Sequence, residues 1–72
     1  MKYIDGTKIY VGDRVELVNQ GYGVVVCSID DALYMESYAK DDWSYLEKGV
    51  LIKMDNGSLI HYTEPDCDLK RT

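Results

Sequence analysis

Seventy-two residues allow one domain, 1–72, with a marginal core and no room for both a scaffold and a deep substrate cavity. Hydrophobic residues at 46% and charged residues at 29% fit a folded globular chain and argue against disorder. A net charge of −5 with bases scattered singly, apart from Lys70-Arg71, argues against nucleic-acid binding, which needs clustered Lys and Arg.

The opening stretch MKYIDGTK carries no apolar signal-peptide core, and Met1 has the look of a native start. No apolar run approaches the length of a membrane span. A cytoplasmic protein with no membrane partner is therefore expected, and two cysteines, Cys27 and Cys67, fit structural thiols better than a disulfide framework.

Along the chain the signals are short strands and tight turns. Asp5-Gly6 is a turn, followed by the short extended piece Thr7–Tyr10, and Gly12-Asp13 is a second turn. Arg14-Val15-Glu16-Leu17 alternates polar and apolar, which predicts a half-buried strand. Asn19–Gly23 predicts a loop, with Gly23 permitting the bend back. Val24–Ile29 is a second strand, apolar on both faces. If Val25, Cys27 and Ile29 point inward, then Val24, Val26 and Ser28 form an outer face that something must cover, and the long segment after it is the candidate.

That segment, Asp30–Lys48, holds six acids and two bases, a net of −4, and four of the eight aromatics. The rest of the chain has seven acids and six bases, a net of −1. Ala39, Trp43 and Leu46 fall at i, i+4 and i+7, so a short α or 3₁₀ helix is predicted over Lys40–Leu46, with Gly49 ending it. Val50–Met54 and Ser58–Thr63 are two further strands joined through Asp55-Asn56-Gly57, a strong hairpin signal. In the second of them, Ile60 and Tyr62 share one face and Leu59 and His61 the other. Asp66–Leu69 is a short edge piece. The expected class is mainly all-β: five short strands in a closed or nearly closed barrel, with a long loop and short helix inserted at about 30–48.

The run Val11–Leu17, then Gly23-Val24-Val25-Val26 and Ile29-Asp30, resembles the opening of an SH3-like barrel of the KOW type. The resemblance covers residues 7–30 and implies a fold; small barrels host many activities. KOW modules offer basic loops, whereas this chain has Glu16, Asn19, Gln20 and Asp30 there. As a whole, with Asp5-Gly6-Thr7, Trp43–Leu46, Gly49–Ile52 and Leu59–Asp66, the chain also resembles short stand-alone bacterial immunity proteins of toxin systems. That resemblance implies an inhibitor that binds a toxin directly, and it supplies no motif from which a site could be transferred.

Chemistry-bearing residues are few. His61 with Cys27 or Cys67 could form a nucleophile pair, but a strand histidine satisfied by a hydrogen bond is the simpler reading, so no catalytic residue is expected. Neither paired cysteines nor paired histidines at metal-ligand spacing occur, and Asp66-Cys67-Asp68 is a charged terminal stretch, so no metal or cofactor is expected. Gly21-Tyr22-Gly23 lacks the rest of a phosphate loop. Trp43 is expected to plug one mouth of the barrel; a peptide groove of Tyr22, Trp43 and Tyr45 is the alternative. Tyr34 and Tyr38 are expected to be exposed beside Asp31, Glu36 and Ser37. A connection of nineteen residues in so small a domain is usually functional, though its charge could serve solubility alone. The expected partner-binding residues are Tyr34, Glu36, Tyr38, Asp41, Asp42 and Tyr45. Acids would steer a basic protein, a toxin domain first among candidates, and aromatics would hold it. The competing expectation is an adaptor or regulatory module that binds a peptide or a ribonucleoprotein. A basic groove formed by Lys8, Arg14, Lys53 and Lys70 would favour the latter.

Overall fold

The computed structural model describes residues 1–72. Its elements are β1 (Arg14–Leu17), β2 (Gly21–Ser28), β3 (Leu33–Tyr34), α1 (Lys40–Trp43) continued by a 3₁₀ turn (Ser44–Leu46), β4 (Val50–Met54), β5 (Leu59–Tyr62) and β6 (Leu69–Arg71). All strand pairs are antiparallel, in the order β5-β4-β2-β1-β6, with β3 also on β2. The all-β class is as expected. The sheet has six strands where five were expected, and its end strands β5 and β6 are not joined by a ladder.

β2 organises the sheet because it is the longest strand, 8 residues against 5 or fewer in the others. Its first half pairs with β1 (Val15 opposite Gly23), its second half with β3 (Cys27 opposite Tyr34), and β4 runs along its other edge. The β4 register slips between Val25 and Cys27, which makes Val26 the extra residue of a β-bulge. A bulge inverts the in-out parity of everything beyond it. Val25 therefore faces the inner core, whereas Val26, Cys27 and Ile29 build a second cluster with Leu51. Ser28, expected outward, lies opposite Val50 of the inner core. The expected inward positions of Cys27 and Ile29 are corrected by this single residue.

The inner core consists of Val15, Leu17, Val25, Val50, Ile52, Met54 and Leu69 from the sheet, completed by Tyr3 and Ile9 from the N-terminal arm. Ile60 and Tyr62 pack on it from β5, as the alternation predicted. The arm folds back on itself at Asp5-Gly6, where Gly6 has φ 90 and the Tyr3 amide donates to Thr7 O at 2.8 Å. Tyr3 then donates its hydroxyl to Asp13 Oδ2 at 2.8 Å, an oxygen that also accepts from the Tyr10 amide at 3.0 Å. Burial first, and this bond second, push the Tyr3 phenol well above its usual range.

Two glycines do different work from that expected. The bend before β2 is made by Asn19 (φ 67) and Gly21 (φ 102), whereas Gly23 is inside β2, where a side chain would collide with Ile52 and Met54. The left-handed residue ending the helical segment is Glu47 (φ 69). Gly49 (φ 93) instead opens β4, and a methyl group there would overlap the Tyr62 carbonyl.

Candidate functional site

The second cluster is the floor of the site. Val26, Cys27, Ile29 and Leu51 lie on the outer face of the sheet, and Val24, Tyr34, Met35, Tyr38, Trp43 and Leu46 pack against them. The apolar outer face is thus covered by the inserted segment, which we call the flap. Three kinds of tie hold it. β3 extends the sheet, and the Met35 amide donates to Val26 O, on the bulge, at 2.9 Å. At its start, Asp30 meets the N-terminal amine at 3.3 Å and Asp31 meets Lys8 Nζ at 3.6 Å. Asp31 Oδ2 also accepts from the Ser28 hydroxyl at 3.1 Å.

α1 and the 3₁₀ turn cover the predicted Lys40–Leu46 span. Their apolar residues follow the i, i+3 spacing of Trp43 and Leu46, which both face the floor. Trp43 is half-buried there, on the outer face. The expected plug in the barrel mouth is corrected: Tyr3 and Ile9 complete the inner core instead. Tyr34 and Tyr38, expected to be exposed, are half-buried in the same packing.

Above the floor the rings form a short series. Tyr38 and Trp43 are 6.0 Å apart between centroids and tilted by 43°; Trp43 and Tyr45 are 6.5 Å apart and within 25° of parallel. Tyr45, at the outer end, is 69% exposed. Glu36, Asp41, Asp42 and Glu47, from the same segment, are exposed. None of these four acids has a salt-bridge partner, in contrast to Asp30 and Asp31. Of the six expected contact residues, then, Asp41, Asp42 and Tyr45 share the outer surface of the helical half, Glu36 is exposed before it, and Tyr34 and Tyr38 serve partly as packing. Sequence reasoning missed Glu47, whose left-handed backbone at the end of the turn was credited to Gly49.

The flap leaves the other half of the outer face open. Cross-strand pairing sets Arg14, Val24, Lys53 and Leu59 in one row, and Lys70, Glu16 and Tyr22 in the next. Tyr22 (48%) and Leu59 (43%) are exposed on it. Arg14 makes a two-pronged bond to Asp55 at 2.7 and 2.9 Å, which holds the Asp55 carboxyl below its usual range. Lys70 stands opposite Glu16, and Lys8 lies away from the row on Asp31. Three of the four bases considered for a basic groove therefore share a face, interleaved with acids.

His61 Nε2 lies 2.7 Å from Lys48 O, the satisfied strand histidine anticipated. Leu51 separates it from Cys27 in the cross-strand row, and burial raises the Cys27 thiol pKa. Both cysteines are free, Cys27 buried under the flap and Cys67 exposed. Asp66, Cys67 and Asp68 bring three potential ligand atoms close together, but the group is knit by the local turn, in which the Asp68 amide donates to Asp66 Oδ1 at 2.8 Å. No helix is long and apolar enough to cross a membrane. No family model, curated protein or solved structure matches the chain.

Proposed function

We propose that this chain is a small, non-catalytic protein-binding module that engages a basic surface of its partner through the flap, and that it serves as an immunity protein neutralising a bacterial toxin in the cytoplasm. The observation that carries the reading is the division of labour among the flap's charges. Asp30 and Asp31 are used to fasten the flap, whereas Glu36, Asp41, Asp42 and Glu47, which lie near Trp43 and Tyr45 in the chain, are exposed and make no ion pair. An anchored aromatic patch with an uncompensated acidic rim suits a basic protein surface. The rim speeds encounter, and the aromatic centre, once desolvated, slows release.

The strand order is compatible with an SH3-like barrel, and the resemblance to immunity proteins supplies the inhibitory role. The test is genetic and then physical. A neighbouring reading frame that ends in a small basic domain should be toxic alone and tolerated when co-expressed with this chain. Asp41→Lys with Asp42→Lys should abolish that protection. Protection undiminished by the double reversal would remove the flap as the interface.

The open half of the outer face, with Tyr22 and Leu59 exposed beside Lys53, supports the second reading, a peptide- or ribonucleoprotein-binding adaptor. A gel shift with RNA at physiological salt separates the two, since the acidic-flap reading expects none.

A further inference from the structure

The Trp43–Tyr45 pair specifies more than a basic partner. We propose that it is a receptor for an arginine side chain, with the guanidinium lying against the Tyr45 and Trp43 rings and the neighbouring carboxylates accepting its N–H groups. This rests on the reading of the flap as the binding face.

Three observations lead to it. First, Tyr45 is the most exposed large hydrophobic side chain in the molecule, and its ring runs within 25° of parallel to Trp43, which itself packs on Val26, Cys27, Ile29 and Leu51. A preset aromatic surface costs little ordering when a partner lands on it. Second, the only carboxylates in the helical half, Asp41, Asp42 and Glu47, flank these two rings in the chain and have no ion pair. They outnumber Lys40 and Lys48, the bases of the same stretch. Third, the combination discriminates between cations. A lysine ammonium gains from the acids as a point charge but is strongly hydrated. A guanidinium is planar, sheds water more readily, stacks flat on a ring and still presents in-plane donors to carboxylates. An acidic rim alone would accept either; rings and rim together favour arginine.

The single tryptophan is the reporter. The full chain is titrated at 150 mM salt with nona-arginine and, separately, nona-lysine, two probes of equal charge, and Trp43 emission is followed. The expected result is that nona-arginine changes the emission and binds at least about fivefold more tightly, in line with the gain of a cation–ring contact. Tyr45→Leu, at an exposed position that leaves the floor intact, should erase that preference while both peptides keep a weaker, salt-sensitive affinity. Asp41→Asn with Asp42→Asn should weaken both peptides alike. Equal binding of the two peptides, or an arginine preference that survives Tyr45→Leu, overturns the arginine receptor and leaves the acidic binding face standing. Binding of neither peptide overturns both.

Discussion

If the flap is fastened by its own tryptophan, then removing that ring should uncover Cys27. Trp43 is half-buried on the floor cluster that contains Cys27. A tryptophan buries roughly 200 Å² when fully enclosed, so half of it, at about 25 cal/mol per Å², contributes about 2–3 kcal/mol to holding the flap down. If the flap opens locally ahead of global unfolding, Trp43→Ala raises the open population by that amount, roughly 30- to 150-fold. Thiol labelling measures it directly. In the native chain Cys67 should react quickly and Cys27 slowly, since Cys27 is both covered and held as the thiol by burial. In a Cys67→Ser background, Trp43→Ala should accelerate Cys27 labelling by the factor above, whereas Tyr45→Ala, at the exposed end of the ring series, should change it by no more than about threefold. A denaturant titration of each variant separates local opening from loss of the whole fold. Cys27 labelling as fast as Cys67 in the native chain, or a rate indifferent to Trp43→Ala, would refute the anchored flap.

Other consequences follow from the scaffold. Gly49 and Gly57 share φ 93, but a side chain at Gly57 meets open space and one at Gly49 meets the Tyr62 carbonyl. Gly57→Ala should therefore cost about 1–2 kcal/mol for the left-handed backbone alone, and Gly49→Ala about 2–5 kcal/mol once overpacking is added; equal losses in urea melts would contradict the β4–β5 packing. Stability should also fall in alkali. The Tyr3 phenol is raised in the fold by burial and by its bond to Asp13, so its contribution is complete below about pH 10, where the unfolded tyrosine begins to ionise. It declines above that by up to about 1.4 kcal/mol per pH unit. Tyr3→Phe should flatten the decline, and an unaltered alkaline slope in that variant would show the phenol to be uninvolved.

Much of the sheet was legible because its signals are local. The alternation of Arg14–Leu17, the turn Asp55-Asn56-Gly57 and the spacing of Trp43 and Leu46 are each decided within a few residues, and each element lies where that pattern puts it. The need for a cover over the second strand was also legible, from apolar residues on both its faces. What escaped was set at long range. A bulge at Val26 leaves no mark in a run where every neighbour is apolar, yet it sends Cys27 and Ile29 to the opposite face. Tyr3 and Ile9 lie in short stretches of mixed polarity and become core only through the return of the arm to Asp13 and the sheet. With the inner core completed by that arm, Trp43 went to the outer face and drew Tyr34 and Tyr38 into half-burial with it. Of the six residues expected along the loop, Asp41, Asp42 and Tyr45 are exposed on the helical segment, whereas Tyr34 and Tyr38 are shared with the packing beneath it.

The most direct test of the acidic face is the affinity of the native partner for the chain with and without Asp41→Lys and Asp42→Lys. The partner is taken from co-expression, and both proteins are titrated at 50 and 300 mM salt. The anchored, acid-rimmed flap predicts at least a tenfold weaker complex for the double variant at 50 mM, most of it in a slower association rate that no longer depends on salt. An unchanged affinity and an unchanged salt dependence would place the interface elsewhere, on the open half of the sheet.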